Sequence, residues 1–210
     1  MEEAWEWIAA ERRAMADLAE GLDPAQLATP SLCAGWTVRD VIAHLSLNMT
    51  FSARKSAGAL LRSGFRPNRF IQELTAQAAT RSDAELVALF RDHADATWGP
   101  PGFGAQAPLT DLLVHGVDIR RPLGLTHVPT PAALRRSLDF VVQPKASAGF
   151  TQRRHQKGLR YEATDLDWVH GTGATVRGPA QPLLAVLCNR PAPLEDLEGD
   201  GVIVLRDRLS

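Results

Sequence analysis

The chain has 210 residues, with 23 basic against 24 acidic side chains, 45% apolar residues and two cysteines. That length suits one large domain, or a medium one with a small appendage, and a net charge of −1 argues against nucleic-acid and membrane partners. No apolar run approaches the ~18 residues of a membrane helix, the start Met1-Glu2-Glu3 is acidic, and Cys33 and Cys188 suit neither a disulfide scaffold nor a Cys-x-x-Cys metal site, so a cytoplasmic home is expected.

Helices are expected first. Trp5, Ile8, Met15, Ala16 and Ala19 repeat at three-to-four spacing, and Gly21 offers a left-handed stop. A loop follows over 22–36, broken by Asp23-Pro24, Thr29-Pro30 and Gly35. Thr37-Val38-Arg39-Asp40 reads as an N-cap with an acid at the third helical position, opening a helix to about Arg62. Further helices are predicted over Asn68–Thr80, from Ser82 to about Trp98, from Leu109 to Arg121, and from Thr130-Pro131 to about Val142.

The character changes after Pro144. Segments 159–163, 172–177 and 202–206 are strand-like, and Pro182–Asn189 reads as a short helix between them. The expected fold class is therefore α+β. A helical domain over 1–145 is followed by a small α/β domain over 146–210, a piece marginal on its own.

The chemistry concentrates in Pro108-Leu-Thr-Asp-Leu-Leu-Val-His-Gly-Val-Asp-Ile-Arg-Arg121. On a helix Asp111, His115 and Asp118 fall within about 60° of one another. Two acids and an imidazole on an otherwise apolar helix are costly to bury unless they bind something. A carboxylate and an imidazole one turn apart can also reach one metal ion. The alternative is a solvated face with His115 capped by Asp118. His44, in Gly35-Trp-Thr-Val-Arg-Asp-Val-Ile-Ala-His-Leu45, lies off the centre of its helix's apolar stripe among mostly apolar neighbours. Alone it reads as a hydrogen-bonded structural residue. Beside Asp111 and His115 it would complete three ligands with coordination sites left open.

The segment Gly35–Leu45 resembles the helix-two signature of the mycothiol-dependent maleylpyruvate isomerase family, whose first domain is a DinB-like four-helix bundle. Segment 110–124 resembles that family's second ligand helix. Leu159-Arg-Tyr-Glu-Ala-Thr-Asp165, Gly178-Pro179, Asn189-Arg190-Pro191 and Gly199-Asp-Gly-Val202 are similar to its small sterol-carrier-like C-terminal domain. The resemblance implies that His44 and His115 fill the first and last metal-ligand positions and Asp111 the intermediate one. That intermediate position usually carries Glu in the isomerases, so Asp111 departs by one methylene. It implies a divalent cation, zinc first, with Ni²⁺, Mn²⁺ or Fe²⁺ as alternatives, and Asp118 as a supporting acid.

The same resemblance implies mycothiol as thiol cosubstrate and an electrophilic small molecule such as maleylpyruvate as substrate. A metal-activated thiolate would act in isomerisation or S-transfer, by a monomer or homodimer. Arg190, Arg120 and Arg121 are the candidate substrate- or thiol-binding cations. No Gly-x-Ser-x-Gly elbow or nucleotide loop appears, and Cys33 reads as an ordinary, partly buried thiol. A metal-dependent hydrolase of the same fold and a non-catalytic metal-binding module are the rival readings. His93, His127, His155 and His170 are weaker site candidates.

Overall fold

A computed structural model describes residues 2–49, 67–99 and 102–210. The chain divides into two compact units, Met1–His127 and Val128–Ser210.

In the first unit α1 (Glu2–Gly21) buries Ala4, Ile8, Ala9, Met15, Ala16 and Ala19, most of the stripe that the apolar spacing predicts, while Trp5 is only half-buried. Arg12 lies within that stripe. Its Nη1 donates to the carbonyls of His93, Ala94 and Ala96, closing the turn that ends a later helix. The loop after α1 contains a short helix, α2 (Pro24–Leu27), capped by Asp23. Helix α3 (Val38–Leu45) opens with the predicted box: Thr37 Oγ1 accepts from the Asp40 N–H, and Asp40 accepts from the Thr37 N–H. It tightens into a 3-10 turn at Ser46–Asn48, and the predicted continuation to Arg62 lies outside the described residues.

Helices α4 (Pro67–Ala78) and α5 (Asp83–Asp92) follow, the second with a Ser82–Glu85 capping box. Arg39 ties α3 to the turn between them, with Nε 2.6 Å from Asp83 Oδ1 and Nη1 donating to the Ala79 carbonyl. Helix α6 (Gln106–Arg120) packs on both α1 and α3, and α3 packs on α4. Twelve of its fifteen residues are buried, Thr110, His115, Asp118 and Arg120 among them. A helix buried nearly all round has no solvated face, so that reading of Asp111, His115 and Asp118 falls away.

In the second unit α7 (Pro131–Val141), capped by Thr130, packs on α8 (Ala180–Leu187). This contact draws α7 into the second unit, which begins at Val128. The sheet is β1 (Leu159–Ala163), β2 (Val169–Gly171) and β3 (Ala174–Gly178), in the order β2-β1-β3. Strand β1 pairs antiparallel with β2 (Tyr161 opposite His170) and parallel with β3 (Tyr161 opposite Val176). Gly173, at φ +123°, allows the β2–β3 turn, because a Cβ there would stand 2.2 Å from the Gly158 carbonyl oxygen.

The strand predicted at 202–206 is instead helix α9 (Gly201–Leu209). Its β-branched run suggested a strand. Val202 and Leu205 are buried while Ile203 is 70% exposed, a helical three-residue spacing. Helices with a small sheet give the expected α+β class. Among the described residues no helix is long and apolar enough to cross a membrane.

Candidate metal centre

Four segments of the first unit meet around His115. Helix α3 supplies His44, α6 supplies Asp111, His115 and Asp118, α4 supplies Thr75, and the loop before α3 supplies Cys33 and Trp36. That loop is closed on itself. Ser31 N–H donates to the Trp36 carbonyl at 2.9 Å and Trp36 N–H to the Cys33 carbonyl at 3.0 Å. Gly35 takes φ +78°, which the turn requires. Leu32 N–H donates to the Asp118 carbonyl at 3.2 Å, fastening the loop to α6.

His44, Asp111 and His115 each place a ligand atom within 4.8 Å of the others. His44 Nε2 lies 3.9 Å from Asp111 Oδ2, and His115 Nε2 lies 3.4 Å from Asp111 Oδ1. In a tetrahedral site with bonds of ~2.0–2.1 Å, neighbouring donors stand about 3.3–3.4 Å apart. A direct charge-assisted hydrogen bond would close to ~2.7–2.9 Å, as His115 Nδ1 and Asp118 Oδ2 do at 2.8 Å. Both Asp111 separations are wider than that, and the shorter one matches the donor spacing of a shared cation.

The far side of each ring is anchored. His115 Nδ1–H donates to Asp118, whose side chain is fully buried. His44 Nδ1 lies 3.2 Å from Thr75 Oγ1, and the tautomer that donates there leaves Nε2 as the lone-pair donor. Both rings thus carry an outer partner of the kind that orients histidines in metal sites, and the Asp118 carboxylate, which only accepts, also sets the His115 tautomer. The Trp36 ring sits 5.1 Å from His44, and the two imidazoles meet edge to face at 4.9 Å.

Burial by itself would lower the His115 pKa. The Asp111 charge, with hydrogen bonds to Asp111, Asp118 and Cys33, outweighs it and holds the ring well above the ordinary imidazole value. Such a strongly negative pocket is suited to a cation. Two imidazole nitrogens, one carboxylate and anchored rings fit a borderline divalent ion such as Zn²⁺.

A family model, the mycothiol maleylpyruvate isomerase N-terminal domain, matches residues 8–120. The chain belongs to the mycothiol maleylpyruvate isomerase family. The fold agrees. Crystal structures of the mycothiol-dependent maleylpyruvate isomerase and of a histidine-to-alanine mutant of it each superpose with a TM-score of 0.63 at 16% identity, covering 95% of this chain and 92% of theirs. No curated protein matches the chain. Asp111 sets one oxygen toward each imidazole.

The arginines and remaining histidines fall elsewhere or apart. Arg120, nine residues from Asp111, lies about 180° round the helix from it. It is 7% exposed, and the Glu11 charge on α1 supports its guanidinium against the burial that lowers its pKa. Burial and the Glu11 charge associate its guanidinium with the α1–α6 contact. Arg121 caps α6, and Arg190, in the second unit, donates to the Cys188 carbonyl at 2.7 Å. His127 pairs with Glu11 at 2.9 Å. His93 ends α5, His170 stacks on Trp168, and His155 is buried in the second unit.

Two neighbours of the centre are invisible to pattern reading. Thr75 is one hydroxyl on an amphipathic helix, and nothing in its spacing marks it. Cys33 reaches Asp118 from the closed loop, for which the breakers and Gly35 are the available signals.

Proposed function

We propose that the chain is a divalent-metal-dependent enzyme that uses mycothiol as cosubstrate. It acts as an isomerase or S-transferase on an electrophilic small molecule such as maleylpyruvate. One observation carries this reading: two imidazoles with anchored Nδ1 atoms turn Nε2 toward the two oxygens of a single carboxylate, at separations of 3.4 and 3.9 Å. Family membership supports the choice of thiol and substrate class.

His44, Asp111 and His115 would hold the cation. When bound, it supplies a Lewis acid beside which a thiol loses its proton near neutral pH. Asp118 keeps His115 in the ligating tautomer, Thr75 orients His44, and Trp36 covers one side of His44. Arg121, at the end of α6, remains a proposed contact for an anionic substrate or the thiol. With a cis double bond, the sulfur adds to one carbon, the new single bond rotates, and elimination expels the sulfur. The thiol is returned and the trans isomer is released. With a carbon that bears a leaving group, the same attack ends in S-transfer. The nucleophile is borrowed, in keeping with a chain of two cysteines, one of them buried in the second unit.

Metal analysis of the purified protein, with maleylpyruvate turnover measured with and without mycothiol, tests the reading. About one cation per chain and turnover that needs both components are expected. Full activity without thiol would favour the hydrolase, and a metal-loaded chain without turnover the non-catalytic module.

A further inference from the structure

Asp118 Oδ2 serves two donors from different parts of the chain: His115 Nδ1 at 2.8 Å and Cys33 Sγ at 3.1 Å. The thiol sulfur also stands 3.6 Å from His115 Nδ1. Its loop holds it there. Cys33 N–H donates to Ser31 Oγ at 3.1 Å, Ser31 Oγ–H donates to the Trp36 carbonyl at 2.8 Å, and Leu32 N–H donates to the Asp118 carbonyl. The backbone that carries the thiol is thus tied to the residue whose carboxylate the thiol reaches.

Cys33, His115 and Asp118 also lie close enough together to suggest a second cation site. Their separations decide against it. Donors sharing a tetrahedral ion at ~2.0–2.3 Å would stand about 3.3–3.6 Å apart. The contacts to Asp118 Oδ2, at 2.8 and 3.1 Å, are hydrogen bonds. The three groups form a thiol–carboxylate–imidazole chain on the far side of a candidate ligand.

We propose that Cys33 is a positioning residue that acts on His115 through Asp118, sharing its acceptor oxygen and so moderating its pull on the Nδ1 proton. This rests on the reading of His44, Asp111 and His115 as a cation site. An oxygen that accepts two hydrogen bonds is a weaker acceptor toward each. With the thiol removed, the carboxylate draws harder on Nδ1–H, and Nε2 becomes a better donor to a cation. The expected sign is therefore opposite to that of structural damage: loss of the thiol tightens the site.

The test uses the full chain, reduced and metal-free, titrated with Co²⁺ and with Zn²⁺ against a chelator. A second reading follows the His115 Nδ1–H proton by NMR before any metal is added. Cys33→Ala is expected to bind about threefold more tightly and to move that resonance downfield. Asp118→Asn should weaken binding by tens of fold, and Cys33→Ala added to it should change nothing further. Cys33→Ser, which keeps a donor and serves if the alanine variant folds poorly, should bind within about twofold of wild type.

An effect of Cys33→Ala that persists without the Asp118 carboxylate overturns the proposal. So does a sulfur-to-cobalt charge-transfer band that disappears in Cys33→Ser, because the thiol would then be a ligand. If wild type takes up no cation while the resonance still moves, the chain of hydrogen bonds stands and the cation reading falls. If wild type binds cation and neither reading moves, only the role of Cys33 falls.

Discussion

Two buried histidines, one in each unit, show how surroundings decide what an imidazole can do. His115 on α6 is 8% exposed and His155, in the turn Arg153–His155, is 1% exposed. Burial lowers both, but His115 faces Asp111 and Asp118 and ends well above the ordinary value. His155 has Arg154 and Arg208 as charged neighbours and ends below it. Both His115 nitrogens face carboxylate oxygens, whereas His155 Nδ1 has no hydrogen-bond partner among the described residues. The same side chain is held above its ordinary pKa in one unit and below it in the other.

The largest effect expected from this contrast is loss of the cation. His115→Ala and His44→Ala should each abolish stoichiometric binding of Zn²⁺ or Co²⁺ in equilibrium dialysis, because each removes one of the three proposed ligands. His155→Ala should leave the stoichiometry at wild-type level. Unchanged binding in both ligand variants would show that the negative pocket around α6 is packing alone.

How far the contrast was legible in the sequence depended on whether each residue's partners lay on its own helix. Asp111, His115 and Asp118 share α6, so the 3.6-residue period alone put them on one face. Arg120 could have been set apart by the same arithmetic, since it falls on the opposite side from Asp111. His44 needed α3 to pack on α6, a contact that the apolar stripe suggests but does not position. Thr75 and Cys33 enter through contacts between elements, which no periodicity records. In the second unit the short strand β2 escaped notice because Val169 is half exposed and its turn residues dominate the segment. Helix α9 was read as a strand because four apolar residues in succession, 202–205, hide a period that burial makes plain.

A smaller effect separates the two ligand rings from each other. His44 is oriented by a neutral hydroxyl, His115 by a carboxylate. Thr75→Val keeps the shape of the side chain and removes the hydroxyl beside His44 Nδ1. It should weaken cation binding about tenfold, at the lower end for outer partners of ligating histidines, with no change in stoichiometry. A loss as large as that of Asp118→Asn would mean that the two rings are held equally firmly, and the asymmetry would carry no energetic weight.

The smallest effect lies in the second unit and is read in pH. The His155 pKa is lower folded than unfolded, so between the two values the unfolded chain binds more protons. Its stability contribution is complete above the ordinary imidazole value of ~6.5 and is lost as pH falls through the folded value. His170, stacked on Trp168, is also lowered by burial, with Asp139 opposing, and adds a slope of the same sign. Urea midpoints of the full metal-free chain, taken from neutral to mildly acidic pH, should therefore fall less steeply in His155→Gln than in wild type. His170→Gln should remove a separate part of the slope, and the two reductions should add, because the charged neighbours differ, Arg154 and Arg208 for His155 and Asp139 for His170. Equal slopes in wild type and His155→Gln would mean that the turn opens to admit the proton, and that the arginines beside His155 do not keep its ring neutral.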